Sequence, residues 1–156
     1  MASSDSAGGG DRKLLVAVYH PLVGRAEALR GAIEAAGCDA LILPPHVNGL
    51  RPWRDSCFNL LLVNPFLDWQ EPSEFVRLMR SIAGSRLLMV VSVRDSLDDR
   101  MVALGAGADD AVGWTDNLPE ILARVAGLLR RSRIAAGQLG EGELRIDLID
   151  RRVERA

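Results

Sequence analysis

The chain has 156 residues, which suits one compact domain with length to spare for tails, and 48% of them are hydrophobic, which excludes general disorder. A net charge of −2 excludes a strongly basic, purely electrostatic nucleic-acid binder. The two cysteines, Cys38 and Cys57, lack metal-ligand spacing, so a reducing, cytoplasmic setting is expected; no apolar run reaches the ~20 residues that cross a bilayer.

The opening MASSDSAGGG has no apolar core, so residues 1–12 read as a loose, disordered tail and not as a signal peptide. KLLVAVY (13–19) is the first of five apolar runs; DALIL (39–43), FNLLLV (58–63), RLLMVVS (86–92) and DAVGW (110–114) follow. They are continuous rather than alternating, as expected for strands covered on both faces. Between them lie helical stripes. Ala26, Leu29, Ile33 and Ala36 form one, closed by Gly37. PPHVNGLRPWRDSC (44–57) carries Pro52 in its middle and predicts a turn or two of helix at most. Phe75, Leu78, Met79 and Ile82 form the next stripe, with Pro72 suited to a first turn. Ser96 and Asp99 resemble a capping box ahead of Leu97, Met101 and Leu104. Leu118, Ile121, Leu122, Val125 and Leu129 make the strongest stripe, ending in Arg130-Arg131.

Repeated strand–helix units predict a doubly wound α/β sandwich with right-handed crossovers. From Ser132 the rhythm stops. SRIAAGQLGEG (132–142) reads as a linker, and in 143–156 Leu144, Ile146 and Leu148 alternate with Arg145 and Asp147, a half-exposed strand.

The order of five strands and five helices, with VRDSLDDRMVALGAGADD and then LPEILARVAGLLRRSR, resembles the receiver domain of two-component response regulators, closest to the OmpR/PhoB class. The resemblance covers residues 13–131 and implies a five-stranded parallel sheet in the order 2-1-3-4-5. GELRIDLIDRRVERA resembles the opening strands of that class's winged-helix effector, so 143–156 are expected to begin a DNA-binding domain whose recognition helix lies outside this chain.

Receivers of this family carry an aspartate at the end of the third strand, which takes a phosphoryl group as a nucleophile. Acids at the end of the first strand hold Mg²⁺, a lysine after the fifth strand pairs with phosphoryl oxygens, and a Ser or Thr follows the fourth. Carried onto this sequence, the first-strand acids fall at Val18 and Tyr19, with His20 next, the acceptor at Asn64, the hydroxyl at Ser92 and the lysine at Trp114. The family's switch aromatic falls at Ala111. Only Ser92 matches. An amide is a poor nucleophile, and the chain's one lysine, Lys13, opens the first strand at the opposite edge of the sheet. The resemblance therefore implies an atypical, pseudo-receiver domain: not an enzyme, without cofactor or metal, and independent of phosphorylation. Pro65 holds Asn64 extended. Asp68, four residues on, is the one conceivable displaced acceptor.

His20, His46 and the cysteines show no zinc-ligand spacing, and GAGADD follows a helix where a phosphate loop would precede one, so Gly105 and Gly107 read as turn glycines. Tyr19, Trp69 and Trp114 either fill the vacated pocket with aromatic bulk or line a crevice for an apolar small molecule, such as a pathway end product. Finally, the resemblance implies a homodimer through the fourth helix, fifth strand and fifth helix, with Arg100, Asp109, Asp110, Glu120, Arg124 and Arg131 supplying ion pairs between subunits. Val102 and Leu122 are the expected apolar contacts.

Overall fold

The computed structural model describes residues 13–44, 54, 57–64, 71–92, 96–114 and 118–135. Five parallel strands, β1 (Leu15–Tyr19), β2 (Asp39–Ile42), β3 (Leu60–Val63), β4 (Leu87–Ser92) and β5 (Asp110–Gly113), form one sheet in the order β2-β1-β3-β4-β5. The helices are α1 (Val23–Ala35), α2 (Pro72–Ala83), α3 (Leu97–Gly105) and α4 (Leu118–Ala135). The short helix expected after β2 and the effector strands expected at 143–156 fall largely or wholly outside the described residues.

The continuous apolar runs have a simple cause. Alternate residues of each strand enter two separate cores, so neither set can be polar. Ala17, Tyr19, Leu61, Val63, Leu88 and Val90 pack under Phe75, Met79 and Ile82 of α2 and Ala103 of α3. On the other face Val16, Val18, Leu60, Leu62, Met89 and Val91 meet Leu29 and Ile33 of α1 and Ile121, Val125 and Leu129 of α4.

Local signals fix the ends of these helices. Pro72 opens α2, and Ser96 Oγ accepts the Asp99 N–H at 3.4 Å to cap α3. Gly37 ends the α1 turn at φ +91°, and Gly107 turns into β5 at φ +119°. A Cβ on Gly107 would also stand 3.1 Å from the aliphatic stem of Arg80, so this position favours glycine on two counts.

Three expectations are corrected. Gly105 is the last residue of α3 and not a turn residue. α4 runs to Ala135, so Ser132 to Ala135, read as linker, continue the helix. Leu97, Met101 and Leu104 face outward, at 62%, 62% and 48% exposure, while Asp99 and Ala103 form the buried side of α3. Small residues there let the helix lie close against the sheet and α2, leaving the larger apolar side chains uncovered.

Candidate functional site at the carboxyl edge of the sheet

Parallel strands bring their carboxyl ends to one edge, where open α/β sheets bind ligands. Here Tyr19, Asn64, Ser92 and Trp114 are laced together: Asn64 N–H donates to Tyr19 O at 3.0 Å and Trp114 N–H to Ser92 O at 2.7 Å. The alternation of β1 then divides the candidates. Val18 is sealed in the α1/α4 core, and Tyr19 turns to the other face against Phe75, with ring centroids 5.2 Å apart. His20 falls on the α1/α4 side. Val18 and Tyr19, expected in the acid pocket, thus have their side chains in the two cores, and the His20 side chain meets the Asn64 amide.

His20 and Asn64 are both buried, Asn64 at 1% exposure. His20 Nδ1 accepts the Leu22 N–H at 3.0 Å, and Nε2 lies 3.3 Å from the Asn64 amide. The Asn64 atom that faces Nε2 is the amide nitrogen Nδ2, and the imidazole tautomer sets which of the two donates. Trp114 stands edge-on to His20 with centroids 5.8 Å apart, and the Arg25 guanidinium of α1 lies 4.7 Å from the indole centroid. Burial, and then the charge of Arg25, lower the His20 pKa from 6.5 to about 4.

That shift has a direction in stability. Between about 4 and 6.5 the unfolded chain holds a proton that folded His20 has released. This contribution is complete above pH 6.5, falls as the pH drops and is gone below about 4. Going from about pH 7 to about 4.5 should cost roughly 2.5 kcal/mol through this group. Urea titrations of the wild type and His20→Gln measure it; the same pH slope in both would assign the loss to other groups.

These residues do not fit the Mg²⁺ that the fold family implies. Neither His20 nor Asn64 is an acid, His20 Nδ1 is occupied by a backbone N–H, and a guanidinium stands beside them. Among the described residues no group of three or more His, Cys, Asp or Glu could hold a metal ion. Among the described residues the end of β3 carries no acid, Val63 being followed by Asn64. Asp68, Trp69, His46 and Pro65 lie outside the described residues, Cys38 is half-buried and Cys57 exposed.

Arg25 was not singled out from the sequence. One turn into a helix it looks like an ordinary solvated charge, and no spacing shows that it leans back over the strand ends.

A second feature adjoins this edge. α3, β5 and α4 enclose an open groove of about 590 Å³, lined by Leu97, Met101 and Leu104 and by Arg100, Asp110, Glu120 and Arg124. Trp114 borders both the groove and the His20 site. Arg124 pairs with Asp110 of its own chain at 3.4 Å. Asp109 accepts from Arg80 at 3.0 Å and from the Leu88 N–H at 2.8 Å, tying α2 to the sheet within its own chain. Arg131 is exposed and donates to Gly127 O, and Leu122 is buried in the α4 core rather than offered as a contact. Val102 is exposed.

No protein-family model matches the chain. Curated relatives do. The response regulator MprA of Mycobacterium sp. (strain KMS) is 35% identical over 106 residues, covering 68% of this chain and 46% of that protein. The probable transcriptional regulatory protein SilR of Salmonella typhimurium is 30% identical over 101 residues, covering 64% of this chain and 44% of its own length. Among solved structures, a CheY-like receiver domain protein from Methanospirillum hungatei superposes with a TM-score of 0.68 at 18% identity, covering 79% of this chain and 98% of that one. The chain carries a response-regulator receiver domain. An orphan response regulator of H. pylori shares the same fold, with a TM-score of 0.63 at 17% identity over 75% of this chain and 97% of that one. The chain spans about half the length of the curated relatives it matches. No helix among the described residues is long and apolar enough to cross a membrane.

Proposed function

We infer that this receiver works without phosphorylation, as a cytoplasmic, non-enzymatic dimerisation module that controls a DNA-binding effector domain. The observation that carries the reading is the buried His20–Asn64 pair at the end of β1 and β3, where a receiver active in phosphotransfer needs ionised acids. A carboxamide offers no anionic oxygen, and a neutral imidazole beside an arginine attracts no Mg²⁺. The effector role rests on the relatives, one of which is named a transcriptional regulatory protein. Dimerisation rests on the α3–β5–α4 groove, which sets exposed leucine and methionine side chains beside acids and arginines in a form a two-fold copy can match.

Intact-mass measurement after incubation with acetyl phosphate and Mg²⁺ tests the reading. The expected result is an unmodified chain. A stoichiometric phosphoryl adduct would overturn it, and loss of that adduct in Asp68→Ala would identify a displaced acceptor.

A further inference from the structure

Among the described residues β5 pairs with β4 alone, and its other edge opens into the groove between α3 and α4. An open strand edge is a template for pairing with another extended segment. The two walls of this edge differ in chemistry. α3, on one face of the sheet, presents the exposed side chains of Leu97, Met101 and Leu104, and α4, on the other, presents Glu120 and Arg124. A strand sends alternate side chains to opposite faces, so an occupant that suits both walls alternates apolar with charged residues. This chain has such a row outside the described residues: Leu144, Ile146 and Leu148 alternate with Arg145 and Asp147.

We propose that residues 144–148 dock beside β5 as an antiparallel sixth strand, with the apolar row over α3 and Arg145 and Asp147 against Glu120 and Arg124 of α4. Main-chain pairing of this kind is β-augmentation, here by a segment of the same chain. Charge sets the direction. α4 starts at the carboxyl edge, so Glu120 lies nearer that edge than Arg124, whose guanidinium reaches Asp110 at the start of β5. Antiparallel docking brings Arg145 to Glu120 and Asp147 to Arg124, whereas the parallel direction sets like charges together, which is destabilising. The tether permits it. Arg145 lies ten residues beyond Ala135, the end of α4, a reach of up to about 33 Å. Glu120 and Ala135 are about 22 Å apart along the helix. Being covalently attached, the segment also meets the groove at a higher effective concentration than a second copy does. Once docked it covers the face assigned above to the dimer and so gates self-association; that consequence rests on the dimer reading, while the docking does not.

Hydrogen exchange of the whole chain at low-micromolar concentration, read by mass spectrometry, tests the docking. The peptide carrying β5 should exchange slowly in the wild type and at least about tenfold faster in Ile146→Asp, which sets a charge in the apolar row and changes no residue of the sheet or its helices. Arg145→Glu should speed exchange as well, and adding Glu120→Arg to the same chain should slow it again. Equal exchange in wild type and Ile146→Asp, or no recovery in the double variant, overturns the proposal. Sedimentation of the same chains at higher concentration separates the two readings. Faster exchange together with tighter dimerisation of Ile146→Asp supports both docking and gate. Faster exchange with unchanged association leaves the docking intact and removes the dimer from this face.

Discussion

Trp114→Ala is expected to destabilise the domain by about 2–4 kcal/mol, somewhat below the ~3–5 kcal/mol typical of a fully buried tryptophan, because this indole is only partly covered. Three contributions add. The ring packs on the α1/α4 core, stands edge-on to His20, and carries the Arg25 guanidinium on its face. The last of these is worth ~0.5–2 kcal/mol by itself. Losing the indole also admits water to His20 and frees Arg25 to swing away, removing both causes that hold the imidazole near 4. The variant should therefore melt roughly 10 °C lower, and its His20 should titrate closer to 6.5 by proton NMR. Trp114→Phe, which keeps an aromatic face, should recover part of both. An unchanged melting temperature in Trp114→Ala would mean that the indole stabilises nothing.

What the sequence could disclose depended on whether a residue's role is set by pattern or by contact. Strands β1, β3 and β4 were legible because both their faces are buried, which leaves an uninterrupted apolar run, and the starts of α2 and α3 were legible through Pro72 and Ser96. The α3 stripe was read with the right period and the wrong face. Apolar spacing records that a surface avoids water in some assembly, and it cannot say whether the cover comes from the same chain. Tyr19 and His20 show the reverse problem. Adjacent strand residues point to opposite faces, so a resemblance good to within one residue cannot decide which one enters the site. Asp109 and Asp110 are equally ambiguous as letters. The turn at Gly107 brings Arg80 to the first and leaves the second beside Arg124.

Arg124→Glu is expected to weaken self-association by at least about tenfold, and the reasons show what each part of the groove contributes. The Arg124–Asp110 pair is long and exposed within the chain, so exchanging it for the same pair across a two-fold axis costs little. Exposed pairs give only ~0.2–1 kcal/mol each, even when symmetry uses each twice. Burying Leu97, Met101 and Leu104 can yield ~1.5–3 kcal/mol per side chain, which makes them the main source of affinity against an association cost of at least ~4 kcal/mol. The charges then set register and salt dependence. Reversing Arg124 removes the attraction to Asp110 and places a third acid near Asp110 and Glu120, once in each copy. Met101→Asp should be more severe still, since it puts a charge where apolar surface must close. Sedimentation equilibrium at about 50 and 500 mM salt measures all three chains. The wild type should dimerise more weakly at high salt, Arg124→Glu should lose affinity mostly at low salt, and Met101→Asp should stay monomeric at both. If wild type and Arg124→Glu are both monomers at hundred-micromolar concentration, or dimers of equal strength, the two copies meet elsewhere or not at all.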